Sequence, residues 1–466
     1  MKWIALILSL TLLVATHELG HLFFAKLFRT RVNRYYVFFN WKFSILKVKK
    51  FGGKWHFRFF NAKTPESWDE KNLAPEDRDN TLWGLGWIPL GGYCDIAGMV
   101  DETKKADDLE STPQPWEYRT KPAWQRLLII SGGVLVNFIT ALLLYGVIFA
   151  HWGEDKLPMT AATLGYDYHQ VMLDEGFQNG DIIYAVDGNR DLDFTDAATK
   201  IFINNPTEVT VLRGDSLVDI AMSGHLTERI NNEGVKTVIT PRMPFVVKSF
   251  VGGSTAKRCG MAEGDSIVSV CDTAMAAFSD ITACFKRHAG DTVSIGFYRG
   301  GELLSLPVAI NDEGKIGVQA ETDISRLFPG YVHTDYNVLQ AIPAGISHGW
   351  KTLVTYVSSL KVLFSPGGTK GLGGFGTMAS IFPDHWNWHA FWNITALLAL
   401  ILAFMNIIPI PGLDGGHIIF TLWEIVSGRK PSEKFLTVAQ NIGMWLLLAL
   451  MILANGNDIV RWLGLM

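Results

Sequence analysis

The sequence predicts a polytopic α-helical membrane protein, with about four transmembrane helices and two inserted β/α domains. Three observations carry that expectation. Of the 466 residues, 48% are apolar and 12% aromatic, including 16 Trp. Charged residues make up only 18%, against about 25% in soluble domains. The apolar residues are also segregated into four runs, and a block of about 240 residues with strand-like alternation separates the second run from the third.

The same figures exclude other classes. A net charge of −4 and a pI near 6.3 supply no basic stripe for nucleic acid, so no nucleic-acid partner is expected. The chain is too apolar for disorder. Four cysteines are too few for a disulfide scaffold in a chain of this length.

Taken in order, residues 1–27 form the first transmembrane helix, because the run from Trp3 to Leu27 is long enough to cross a hydrocarbon core of ~30 Å. Lys2 and the apolar stretch also resemble a signal peptide with a cleavage site at Ala15. Such apolar regions stop after ~7–15 residues, whereas this one continues through Leu22, Phe23, Phe24 and Leu27. Residues 28–125 follow as a segment with a membrane-associated β element at about 81–98. The second helix occupies 126–151 and is uncharged from Leu127 to Phe149. The third spans 391–411 and the fourth 435–454. Residues 338–364 are amphipathic, with Lys351, Lys361, Trp350 and Tyr356 among apolar positions. They are expected either on the outer membrane face or packed against the soluble domains.

Lysine and arginine set the orientation. Lys26, Arg29, Arg31 and Arg34 follow the first run, Arg119, Lys121 and Arg126 precede the second, and Arg429, Lys430 and Lys434 lie between the third and fourth. The outer flanks carry only Lys2, Lys156 and Arg461. Residues 28–124 and 413–434 are therefore expected in the cytoplasm, and 152–390 outside.

Within the first run lies His17-Glu18-Leu19-Gly20-His21. Four residues of helix turn the chain by about 400°, so both imidazoles share one face and can bind the same Zn²⁺. Glu18 beside them is placed to take a proton from a water on the metal. Three ionisable residues inside a membrane helix are costly and mark function. Two histidines leave a tetrahedral zinc short of a protein ligand. The third run ends in Asn406-Ile-Ile-Pro409-Ile-Pro411-Gly412-Leu413-Asp414-Gly415-Gly416-His417, a backbone tolerated at membrane depth only when buried in protein or beside water. Asp414 sits at that break with an oxygen suited to zinc; a surface-loop aspartate is the alternative.

With both motifs in view, the chain resembles the site-2 protease family of intramembrane zinc metalloproteases, in its regulator-of-sigma-E branch. The matching residues are HELGH at 17–21 and NxxPxPxLDGGH at 406–417, with two further pieces, Gly86-Trp-Ile-Pro-Leu-Gly91-Gly92-Tyr93 and Gly132-Gly-Val-Leu-Val-Asn137-Phe138. The resemblance implies that His17, His21 and Asp414 bind one zinc and that Glu18 is the catalytic base. It makes Asn406, Gly91 and Gly92 substrate-positioning candidates, Asn406 having a capping or packing role as its alternative. The 82–93 region is expected either to receive a substrate strand by β-addition or to act as a re-entrant anchor.

The soluble block contains a repeat. Gly176-Phe-Gln-Asn-Gly180-Asp181 before the strand ending at Val186 matches Gly260-Met-Ala-Glu-Gly264-Asp265 before the strand ending at Val270, 84 residues later. Strands ending near Arg213-Gly214 and Arg299-Gly300 follow each copy. The pattern resembles tandem PDZ-type domains at 155–225 and 243–311. Neither Thr163–Tyr166 nor Val251–Ser254 forms a defined carboxylate loop, which favours gating or docking over tight peptide capture. Cys259, Cys271 and Cys284 fall in the second copy, without a CxxC, and are expected as buried thiols.

The expected function is zinc-dependent intramembrane endoproteolysis at a bacterial inner membrane, with the PDZ-like domains periplasmic and the HELGH side toward the cytoplasm. By resemblance, the partners are membrane lipid and single-span proteins already trimmed outside: membrane-bound anti-sigma factors and remnant signal peptides. Two alternatives belong to other classes. A divalent-metal transporter needs a chain of intramembrane charges, which the four runs lack. A proteolytically inactive scaffold would present the external domains without needing the full set of ligands and base.

Overall fold

A computed structural model describes every residue except 69–71, 90, 100–111, 191, 236, 365–367 and 465–466. The chain divides into two compact units. One comprises Met1–Gly153, Asp335–Val357 and Leu372–Met466; the other comprises Glu154–Thr334 and Ser358–Gly371.

Among the described residues, the first unit contains four helices long and apolar enough to cross a membrane: span 1 (Lys2–Leu27), span 2 (Ala123–Trp152), span 3 (Trp388–Ile407) and span 4 (Glu433–Trp462). Span 2 is the hub, packing against both span 1 and span 3. Span 1 reaches it through glycine. A Cβ on Gly20 would stand 2.2 Å from Gly132 O, and one on Gly132 would stand 2.6 Å from Gly20 O. The two backbones therefore touch, as small residues permit between membrane helices. Span 4 leaves most of its apolar surface exposed, a surface suited to lipid.

Two boundaries differ from expectation. Span 3 ends at Ile407 rather than 411, because Pro409 and Pro411 remove backbone donors. Asp414 then opens a separate helix, Asp414–Ser427, where the sequence suggested a loop. Gly415 makes this possible, since a Cβ there would lie 2.1 Å from Ile408 O. Arg126, on the first turn of span 2, holds this helix through Glu424 at 2.5 Å, with both side chains nearly buried.

Between spans 1 and 2 lies a five-stranded sheet of β1 (Val32–Val37), β2 (Ser44–Phe51), β3 (Lys54–Asn61), β4 (Leu82–Leu85) and β5 (Tyr93–Ile96), in the order β3-β2-β4-β1-β5. β4 pairs parallel to β1 and antiparallel to β2. Within the 82–93 region, β4 is hydrogen-bonded on both sides, while β5, which begins at Tyr93, lies at one edge of the sheet and β3 at the other. On β3, Trp55, Phe57, Phe59 and Phe60 are exposed.

The helix Val338–Ser359, with its 3-10 extension Leu360–Phe364, falls largely in the membrane unit. Ala341, Gly345 and Gly349 form its buried face. Gly345 abuts the backbone of Gly146 in span 2, and Gly349 meets Leu142 and Tyr145. Residues 358–364 group instead with the second unit.

The second unit is built from the repeat. Its strands are β6 (Glu154–Lys156), β7 (Tyr166–Tyr168), β8 (Ile182–Val186), β9 (Glu208–Arg213), β10 (Ser216–Ala221), β11 (Ile239–Pro241), β12 (Phe245–Phe250), β13 (Ser266–Val270), β14 (Thr273–Ala274), β15 (Thr292–Arg299), β16 (Glu302–Ala309), β17 (Val318–Ala320) and β18 (Val332–Thr334). Copy one gives β10-β9-β8 with a separate pair β11-β7, and copy two gives one sheet, β16-β15-β13-β12-β17. Each copy is closed by a strand beyond the expected boundaries of 225 and 311, namely β11 and β17. Separate cores fill them, around Ile183, Val209 and Tyr166 in the first and Ile267, Ile295 and Phe297 in the second.

The repeat extends to side chains. Arg213 grips Asp181 with Nε at 2.9 Å and Nη2 at 2.7 Å, and also donates to Gly176 O. Arg299 grips Asp265 at 2.7 and 2.6 Å and donates to Gly260 O. In each copy the aspartate also accepts a backbone N–H at 2.8 Å, from Gln178 or Ala262. The Gly-Asp and Arg-Gly marks seen in the sequence are thus two ends of one bidentate clamp. The cysteines correct another expectation: all four are free thiols, but only Cys94 and Cys284 are buried, while Cys271 is exposed.

Candidate metal centre

His17 and His21 lie one turn apart on span 1, both buried, and Asp414 joins them from the first turn of its helix. His17 Nε2 and His21 Nε2 are 3.3 Å apart. Asp414 Oδ2 stands 3.2 Å from the first and 3.4 Å from the second. Bond lengths of about 2.0–2.2 Å in a tetrahedral zinc site put neighbouring ligand atoms about 3.4 Å apart, so the three donors already form one face of such a tetrahedron. Asp414 Oδ2 is buried without a hydrogen bond. A buried carboxylate oxygen in that state costs free energy unless a cation answers it, and two imidazoles and one carboxylate are a donor set that suits zinc.

Glycine brings the rings in. A Cβ on Gly133 of span 2 would lie 2.5 Å from His21 Nε2, 2.6 Å from His17 Cε1 and 2.7 Å from His17 Nδ1. Only a residue without a side chain lets span 2 lie flat against both imidazoles. The outer nitrogens are held in turn. His21 Nδ1 donates to Ile129 O at 2.9 Å, and His17 Nδ1 faces the Asn137 carboxamide at 3.4 Å.

Glu18 is half-buried on the same helix. Gly92 comes against it: a Cβ there would meet Glu18 Cγ at 3.5 Å, Val14 Cγ1 at 2.8 Å and Tyr36 O at 2.5 Å. Gly91 adopts φ +148° and packs on Phe39. Tyr35 of β1 donates to Ala15 O at 2.6 Å and ties the sheet to span 1 beside Glu18. The structure thus brings together His17, His21, Asp414, Glu18 and Gly92. Asn406 lies elsewhere along the chain's path, half-buried in the last turn of span 3, eight residues before Asp414. The residues whose roles sequence reasoning missed are Gly133, Asn137 and Tyr35. A signal for the first two was present in GGxxxN, whose spacing puts Gly133 and Asn137 one helical turn apart on one face.

Comparison with known proteins identifies the family. The sequence model of peptidase family M50 matches residues 5–65 and 70–450. A Neisseria meningitidis protein assigned by name to the zinc metalloproteases is 25% identical, with 99% of each chain covered. The regulator of sigma E protease of Haemophilus influenzae is 25% identical, with 98% of each chain covered. A Borreliella burgdorferi protein, also assigned to the zinc metalloproteases, is 25% identical over 97% of each. The chain belongs to peptidase family M50, the site-2 proteases; it is a membrane zinc metalloprotease.

Proposed function

We propose that this M50 peptidase hydrolyses peptide bonds within the membrane spans of single-pass proteins, using one zinc held by His17, His21 and Asp414. The observation that carries the reading is the donor triangle of 3.2, 3.3 and 3.4 Å on buried polar atoms of two membrane-unit helices. When bound there, the zinc polarises the scissile carbonyl and lowers the pKa of water toward neutrality. Glu18 takes the proton from the attacking water and returns it to the departing amine. Gly133 and Gly20 let span 2 close over the imidazoles, which shields the donors from lipid and bulk water alike.

A carbonyl in a membrane helix is hydrogen-bonded and covered, so the substrate helix must open before it reacts. Gly91 and Gly92 position the opened substrate backbone next to Glu18, the absence of a side chain at Gly92 letting the segment before β5 come against Glu18 Cγ; Asn406 positions the same backbone from span 3. The exposed aromatic residues of β3 set the sheet into the lipid interface. The protein sits in a bacterial inner membrane with the HELGH end of span 1 toward the cytoplasm and the repeat outside. The repeat forms two PDZ-like domains that follow span 2 directly and exclude clients whose outer domain is still large. Membrane-bound anti-sigma factors and remnant signal peptides, already cut outside, fit that filter, and the name of the Haemophilus relative points the same way.

The test is co-expression with a single-span client in trimmed and untrimmed forms. A cut within the span of the trimmed form alone is expected, and removal of residues 155–311 should admit the untrimmed form. Unchanged selectivity after that deletion would sink the filter while leaving the protease reading intact.

A further inference from the structure

We propose that Asn137 is a positioning residue for the zinc, selecting the His17 tautomer that leaves Nε2 unprotonated and able to bind metal. The inference rests on the reading of His17, His21 and Asp414 as ligands. A neutral imidazole carries one proton, and the nitrogen that binds a metal cannot carry it. For His21 the choice is made by backbone: Ile129 O at 2.9 Å from Nδ1 can only accept, so the proton stays on Nδ1. Among the described residues, His17 Nδ1 has no such carbonyl. Its Nδ1 faces Asn137, a side chain with a donor at one end and an acceptor at the other.

The surroundings of Asn137 serve both ends. In the structure its Nδ2 points to the ring at 3.4 Å and its Oδ1 to Thr16 Oγ1 at 3.0 Å. That orientation suits a ring protonated on Nε2, the nitrogen a metal needs free. A half-turn of the carboxamide exchanges two ends of the same shape. Oδ1 then accepts from Nδ1–H of His17, and Nδ2 donates to Thr16 Oγ1. Thr16 can accept because its own hydrogen has Leu12 O and Leu13 O, each at 3.0 Å. The Nδ1–H of His17 and one Nδ2–H of Asn137 each keep an acceptor in the metal-binding arrangement. Asn137 is fully buried and stands one turn from Gly133, so the glycine admits the ring and the asparagine fixes its proton. A carboxamide is the one uncharged side chain of this length that can answer either tautomer. Outer-shell partners of this kind typically contribute 10–100-fold to metal affinity.

The experiment measures zinc affinity of the full chain in detergent by competition with a chromophoric chelator, together with the d–d spectrum after cobalt substitution. Asn137→Leu keeps the volume and removes the acceptor; we expect zinc affinity to fall about 10–100-fold and the cobalt spectrum to change. Asn137→Asp restores the acceptor and should recover both within a few-fold. Thr16→Val leaves packing intact but removes the partner that holds the far end of the carboxamide; it should weaken zinc a few-fold relative to wild type, and wild-type affinity in it would count against the proposal if the leucine variant misfolds. Wild-type affinity and spectrum in Asn137→Leu would overturn the proposal, as would equal losses in the Leu and Asp variants, since a packing role alone predicts that equality. Asp414→Ala separates the layers. If it binds zinc normally, the ligand reading itself fails; if it loses zinc while Asn137→Leu does not, only the role of Asn137 fails.

Discussion

Each unit of the chain buries carboxylates, and their surroundings differ in kind. Asp181 and Asp265 each meet a two-pronged guanidinium and a backbone N–H, all within 2.9 Å. Asp414 meets two imidazole nitrogens at 3.2 and 3.4 Å, and its Oδ2 makes no hydrogen bond. The repeat's charges are answered within the chain and so stabilise a fold. The membrane charge is left open toward two further donors, an arrangement that favours a cation over apo stability. Burial alone does not mark function; here the open charge and its two neighbouring imidazoles do.

The largest effect expected from this contrast is at Asp414. Asp414→Ala should abolish zinc binding and cleavage while leaving the repeat's hydrogen exchange unchanged, which metal analysis and exchange mass spectrometry check on one sample. Zinc retained at one per chain would collapse the distinction between the two kinds of carboxylate.

Gly133→Ala should come next. The added Cβ would overlap both rings at 2.5–2.7 Å, and the contacts of the rings with Ile129 O and Asn137 leave them little room to yield. Zinc affinity should fall at least about tenfold, on the scale of outer-shell losses. Gly214→Ala in the repeat, at an open turn with nothing within 4 Å, should leave zinc unchanged.

Asp265→Asn sharpens the other side of the comparison. It weakens the Arg299 clamp and should lower the stability of the second copy by about 2 kcal/mol, less than a fully enclosed pair because Arg299 is 41% exposed. Zinc content should not move. Local exchange rates across β13 and β15 report the first, and metal analysis the second.

The smallest effect is in acid. Burial works to raise the Asp265 carboxyl, but the Arg299 guanidinium and the Ala262 N–H outweigh it and hold its pKa below the ordinary carboxylate value. A depressed folded pKa gives stability that is complete above the unfolded value of about 3.9 and is lost as pH falls through the folded one. Exchange in the second copy should therefore accelerate below about pH 4, and Asp265→Asn should flatten that dependence.

Much of this was legible in the sequence for a physical reason: a membrane makes polar residues conspicuous. His17, Glu18 and His21 stood out because an apolar helix offers them no other purpose, and the Pro-Gly break exposed Asp414. The repeat was visible because each clamp needs Gly-Asp at one end and Arg-Gly at the other, both near turns. What stayed hidden depends on crossing geometry. Gly133 and Asn137 acquire meaning only when span 1 lies against span 2, and Gly92 only when the sheet folds back on Glu18. β4 reads as a plausible edge until β1 and β2 take both its sides. The closing strands β11 and β17 are three residues each, too short for alternation to declare them.

The donor triangle is read as holding a zinc for hydrolysis with Glu18 as base. The most direct measurement determines zinc content and reporter cleavage on the same preparations of the wild-type chain and Glu18→Gln. The account predicts one zinc per chain in both and a cut within the reporter's membrane span in the wild type alone. Cleavage by Glu18→Gln, or loss of its zinc, would contradict it.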